Sequence, residues 1–203
     1  MTGKIKLNAA SGGGSVSFQA PSSTGDDRII TLPTSADGTV LTTTNPKAGN
    51  IIQVKQTVKT DTASTQSMTF QDAVTVSITP SSSSNKILVM YKIALSCNTA
   101  NFSATARLAR DSTAIYVGDA AGNRIQASSY HFAANSGAND RQLDDYNGQF
   151  LDSPNTTSAI TYKLQFASSY TGYNVYVNRG YTWADANYRA STASSITVME
   201  VAG

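Results

Sequence analysis

The chain has 203 residues and a formal net charge of +2, with its 15 basic and 13 acidic side chains dispersed, so no basic stripe or acidic tail points to nucleic acid as a partner. Ser and Thr make up roughly a quarter of the residues while Leu, Glu and Lys are scarce, a composition that suits pleated sheets and not helices. The longest apolar run, Ile87 to Tyr91, is too short to cross a membrane or to form a signal-peptide core, so a soluble protein made in a cytosol, without membrane insertion, is expected.

In chain order, residues 12 to 33 read as two short strands joined by a polar loop, with Val16 and Phe18 on one face and Ile29, Ile30 and Leu32 in the second strand. Gly12-Gly13-Gly14 lacks the following Lys-Ser/Thr pair and helix of a phosphate loop, and reads as a flexible or tight backbone passage. Apolar residues before position 42 are too few to offset the entropy of ordering the segment alone. It therefore needs neighbours, most simply copies of itself. Pro46-Lys47-Ala48-Gly49 reads as a joint.

Beyond the joint, polar and apolar residues alternate again and again. Ile52, Val54 and Val58 share a face, as do Val74, Val76 and Ile78, then Tyr162, Leu164 and Phe166 with Lys163 and Gln165 opposite, then Ile196 and Val198. Turn-forming clusters separate them at Asp37-Gly38, 80–85, Gly118-Asp119, 135–137, 153–155 and Thr171-Gly172. Lys86 to Ser96 is apolar on both faces, and such a strand is either central beneath a second layer or meets another subunit. The expected architecture is all-β: an N-terminal module over residues 1–49 and a β-sandwich or jelly-roll domain over 50–203.

Few residues carry chemistry. His131, the only histidine, lies in the strand-like SYHFA with Ser129 on the same face, and no third group or oxyanion-hole motif accompanies them. Asp144 and Asp145 are adjacent, so on a strand they face opposite ways, and Asp26 and Asp27 sit in a loop. Cys97, the single cysteine, lies in an apolar run as a small buried hydrophobe would, and one His with one Cys makes no metal site. The sequons at Asn101 and Asn155 are idle without a secretory route. No catalytic residue, metal or cofactor is expected.

Tyr170 to Arg189 holds six rings, namely Tyr170, Tyr173, Tyr176, Tyr181, Trp183 and Tyr188. Tyr173 and Gly172 suggest a hairpin, with Val175 and Val177 on one strand face. Residues 180–189 do not alternate and read as a loop of rings, amides and charges, in which Tyr181, Trp183, Asp185, Asn187, Tyr188 and Arg189 are the candidate receptor-binding residues. The same rings could instead pack between subunits.

The string GSVSFQAPSSTGDDRIITLPTSADGTVLTT resembles a module of fibre proteins from marine tailed phages, particularly those infecting cyanobacteria, in which V-x-F/L-x-A-P, T-L-P and G-T-V-L-T precede a variable distal domain. IIQVKQTVKTDT, VSITPSSSSNKILVMYKIALS, FLDSPNTTSAITYKLQF and YVNRGYTWADANYRASTASSITVMEVAG resemble the C-terminal domain of such fibres. The resemblance implies a virion fibre or appendage, made in the bacterial host cytoplasm, trimeric, with a β-rich knob. It further implies attachment to other virion proteins through the N-terminal module and binding to a host-surface glycan or protein. Only about a dozen residues precede the module, so no long anchoring region is expected, and tail and capsid both stay open as locations. A host-receptor adhesin is the leading expectation, a capsid-surface fibre or decoration protein the second, and a polysaccharide depolymerase a distant third.

Overall fold

The computed structural model describes residues 4–8, 11–19, 25, 46–98, 102–132 and 142–203. The chain divides into two compact units, Met1–Val40 and Leu41–Gly203. In the first, β1 (Lys4–Asn8) and β2 (Ser15–Gln19) form an antiparallel hairpin whose register sets Ile5 opposite Phe18 and Leu7 opposite Val16. Gly12 and Gly13 turn the chain with φ of 86° and 71°, a region glycine enters without steric cost. Ile5, Leu7 and Phe18 are about half to two-thirds exposed. The expected second strand at Ile29–Leu32, Asp26, Asp27 and the turns at 37–38 and 135–137 lie outside the described residues, as does the sequon Asn101.

The second unit is a two-sheet sandwich. One sheet holds β3 (Ile51–Lys59), β13 (Ser194–Val201), β6 (Lys86–Cys97) and β10 (Asp144–Asp152) in that order. Short strands β12 (Val175–Val177) and β4 (Ala63–Thr65) continue it beyond the end of β13, with β12 pairing the last residues of β6. The other sheet runs β5 (Gln71–Ile78), β11 (Ile160–Ser168) and β7 (Ser103–Arg110), with β8 (Thr113–Ile115) and β9 (Ser129–Phe132) sharing the far edge of β7. All pairings are antiparallel. The chain alternates between sheets so that β3-β13-β6-β10 faces β5-β11-β7-β9, the strand order of a jelly roll.

Alternation identified most inward faces. Val74, Val76 and Ile78, then Tyr162, Leu164 and Phe166, then Ile196 and Val198, all enter one core with Ile87, Val89, Tyr91, Ile93 and Leu95 of β6. Cys97 is buried there too. Strand β3 differs: Val54 and Val58 are each about half exposed on the outer face, while Gln53 points inward and bonds to Glu200 on the neighbouring strand. β6 is central in its sheet, yet its outer face is covered only in part. Ala94 and Ser96 are fully buried, whereas Met90 is 42% exposed.

Two polar knots close one end of the sandwich, both on the rung Gln53–Glu200–Ile87–Asp152. Glu200 is fully buried and accepts hydrogen bonds from Ser81 N (2.6 Å), Ser81 Oγ (2.7 Å), Asn85 Nδ2 (2.5 Å) and Gln53 Nε2 (2.5 Å). Asp152 takes both oxygens to Arg110 at 2.8 and 2.9 Å and accepts from Tyr162 Oη at 2.7 Å, tying the two sheets together. The chain also enters here, since Gly49 N donates to Ala202 O and Ala202 N to Asn50 O, both at 2.9 Å.

Candidate functional site

At the opposite end of β6, strand β12 stops at Val177 and Asn178 takes a left-handed φ of 66°. Asparagine tolerates that conformation better than other side chains bearing a Cβ. Its amide is fully buried and works on three sides: Nδ2 donates to Lys59 O and Asp61 O, each at 2.9 Å, and Oδ1 accepts from Ser194 Oγ at 2.6 Å. Its backbone N donates to Ala94 O at 3.1 Å and its O accepts from Thr192 N at 3.3 Å, while Ser96 Oγ donates to Arg179 O at 2.7 Å. These bonds bring the two ends of residues 179–192 together over Ala94 and Ser96. The result is an Ω-like loop seated on the outer face of β6.

Within the loop, Trp183 is 48% exposed, Tyr181 44% and Tyr188 58%. Arg179 lies over the Tyr176 ring at 4.1 Å and near the Trp183 ring at 5.7 Å from the centroids, and Arg189 is 5.3 Å from that of Tyr188. A guanidinium beside ring faces limits their motion and offers a cation–π contact. Trp183, Asp185 and Arg189 line one concavity of about 400 Å3, and Trp183, Tyr188, Arg189 and Thr192 line a smaller one of about 180 Å3. Tyr181 instead stacks on Tyr176, with centroids 6.2 Å apart, and Asn187 is exposed outside both concavities. Five of the six candidate residues thus flank or line this surface through rings and charges, with Arg179 added as the organising cation. Its place between Tyr176 and Trp183 was the available sequence signal.

The structure splits the ring-rich segment in two. Tyr173 stacks on Phe102, with centroids 3.9 Å apart and planes 16° apart, and Tyr170 leans on both. Gly172 does turn the chain, with φ 89°. The expected hairpin is not formed: β11 and β12 belong to different sheets, so the turn belongs to a crossover between layers.

Among the described residues, His131, Ser129, Asp144 and Asp145 each meet a neighbouring side chain. His131 is fully buried, its Nδ1 3.1 Å from both Tyr146 Oη and Asp144 Oδ2. Burial holds it below the usual histidine range, against the opposing pull of Asp144. Ser129 shares its strand face, but the Ser129 hydroxyl pairs with Tyr91 Oη at 3.0 Å. Asp144 and Asp145 do face opposite ways, Asp145 meeting Lys92 at 3.0 Å. Among the described residues no group of three or more His, Cys, Asp or Glu side chains could hold a metal, and no helix is long and apolar enough to cross a membrane.

No family model and no curated protein matches the sequence. Among solved structures the chain is similar to the protein of T=1 particles derived from infectious bursal virus, with 11% identity and a TM-score of 0.41 over 93% of this chain and 46% of that one. It is also similar to that of the infectious bursal disease virus Gt strain, with 12% identity and a TM-score of 0.41 over 94% and 48%. The VP2 subviral particle of the same virus gives 13% identity and a TM-score of 0.39 over 93% and 48%. The chain spans about half the length of these proteins.

Proposed function

We propose that the protein is a non-catalytic structural component of a virion, a trimeric appendage of fibre type that binds a host-surface glycan or protein through the 180–189 loop. The observation that carries this reading is positional. The chain enters the sandwich beside Ala202, next to the Lys86 end of β6, and the base of the ring-bearing loop is tied to Ala94 and Ser96 toward the other end. Eight extended residues separate the two places along β6, roughly 26 Å. Entry of the chain and the ring-bearing loop thus lie at different ends of the domain. The exposed Ile5, Leu7 and Phe18 of the β1–β2 hairpin support assembly of copies and docking to other virion proteins. Threefold presentation would make even a millimolar single site adequate through avidity.

Trp183→Ala tests the reading. The variant is expected to keep its fold and oligomeric state while adsorbing less to host cells. Unfolding or dissociation would place Trp183 in the core or a subunit contact, and normal adsorption would place receptor binding elsewhere.

A second reading, a capsid-surface protein that stabilises a shell, is favoured by one feature. Val54, Met199, Leu88 and Leu151 form an apolar rung across the whole outer face of the β3-β13-β6-β10 sheet, with Val54 and Leu151 about half exposed. Gold-labelled antibody on intact virions separates appendage from shell.

A further inference from the structure

Beside that apolar rung the register lines up two polar ones: Gln56, Thr197, Met90 and Gln149, then Val58, Ser195, Lys92 and Asn147. Met90, Lys92, Asn147, Gln149, Ser195 and Thr197 line a concavity of about 520 Å3, within the size range of small-molecule sites. Tyr91 and Gly148 also belong to its lining, and it shares no lining residue with the concavities around Trp183.

Several polar groups of this groove keep hydrogen-bonding capacity. The carboxamides of Asn147 and Gln149 are exposed, and neither makes a hydrogen bond among the described residues. Thr197 Oγ1 accepts from Gln56 Nε2 at 2.8 Å, which leaves its own proton free to donate. Lys92 is the one cation of the lining, and Asp145 meets it at 3.0 Å. No uncompensated charge is therefore offered to a ligand.

A second observation comes from Tyr116, which also lines the groove and is 44% exposed. Its φ is 53°. Among the described residues the other non-glycine residues with positive φ are Asp111, Asn155 and Asn178, types that enter the left-handed region readily, whereas a bulky ring there is a true outlier. Its carbonyl accepts from Ser128 Oγ at 2.7 Å and its ring packs 5.5 Å from that of Phe150, so the surroundings impose the conformation. Strain held this way concentrates where a side chain must be presented.

We propose that this groove binds a neutral oligosaccharide. Amides and hydroxyls that both donate and accept match sugar hydroxyls, Met90 and the Tyr116 ring offer surface to the apolar face of a pyranose, and the balanced charge disfavours acidic sugars. The site is independent of the 180–189 loop.

Calorimetric titration of the full chain with maltohexaose, cellohexaose and hexagalacturonate tests it. At least one neutral hexamer is expected to bind in the millimolar range or tighter, and the acidic one at least about tenfold more weakly. Gln149→Ala, at an exposed position, and Tyr116→Gly, which keeps the left-handed backbone, should each weaken binding about tenfold with unchanged circular dichroism. Failure of both neutral hexamers to bind at millimolar concentration overturns the proposal, as does equal binding of hexagalacturonate. Loss of binding in Trp183→Ala with retention in Gln149→Ala also overturns it, and so does dissociation of the oligomer by Gln149→Lys, which would make the face a subunit contact. Should Tyr116→Gly fail to fold, Gln149→Ala alone decides.

Discussion

Asn178→Ala should both destabilise the sandwich and release the aromatic loop. Three side-chain hydrogen bonds are lost, to Lys59 O, Asp61 O and Ser194 Oγ. At about 0.5–1.5 kcal/mol each they sum to roughly 1.5–4.5 kcal/mol. Alanine must also hold the left-handed φ of 66°, which adds about 1 kcal/mol. An overall loss of about 2.5–5.5 kcal/mol is expected. Asn178→Gly removes the same bonds without the backbone strain, so it should be more stable than Asn178→Ala by about 1 kcal/mol. Urea unfolding followed by circular dichroism reads the sandwich, and the fluorescence of Trp183, the only tryptophan, reads the loop. The fluorescence midpoint of Asn178→Ala should fall at least as far as the dichroism midpoint, because the lost bonds sit at the loop's base. A variant within about 0.5 kcal/mol of wild type, the range of an inert surface change, would refute the assignment of Asn178 as the anchor. A glycine variant less stable than alanine would refute the backbone part of the argument.

Burial would push the Glu200 carboxyl up, but hydrogen bonds from Asn85, Gln53 and Ser81 hold it below the usual glutamate value. A lowered folded-state value means that the stabilisation is full above the ordinary value of 4.5 and is lost as pH falls through the folded one. Urea midpoints measured across that window should fall for wild type and fall less for Glu200→Gln, which starts lower at neutral pH by roughly 2–4 kcal/mol. Gly148→Ala should cost about 1–3 kcal/mol through overpacking, because its Cβ would lie 2.5 Å from the Tyr91 ring. Combining it with Tyr91→Leu should cost less than the sum of the two single changes, and strict additivity would count against the contact. A chain beginning at Asn50 should scatter light as a monomer while the full chain forms a trimer, and a monomeric full chain would overturn the assembly role of the hairpin.

Side-chain period was legible where both layers of the sandwich are apolar. Val74, Val76 and Ile78 could only face inward, since the intervening Thr75 and Ser77 have no place in that core. Period does not say which face is inside, and β3 shows the consequence. Its valines look outward because the inner rung opposite Glu200 needs the amide of Gln53. Pairing was not legible either. β12 meets β6 and β4 across long stretches of sequence, and nothing local to Gly172 distinguishes a crossover between sheets from a hairpin within one. The candidate loop was legible through its lack of alternation, whereas Asn178 and Arg179 were not. Their roles depend on Lys59, Asp61, Ser96 and Ser194, brought from three other strands or their ends.

The distribution of polar ties gives the two ends of the domain different freedom to change. Glu200 joins β13 to the loop entering β6, and Asp152 joins β10 to β7 and β11, so a substitution in either knot leaves buried donors or charges without partners. At the other end Asn178, Arg179 O, Thr192 and Ser194 fix the base of the loop. Trp183, Asp185 and Asn187 lie above that base and are exposed. Side chains there can therefore vary at little cost to the sandwich, which is the condition a recognition loop needs if its ligand changes while its scaffold must not.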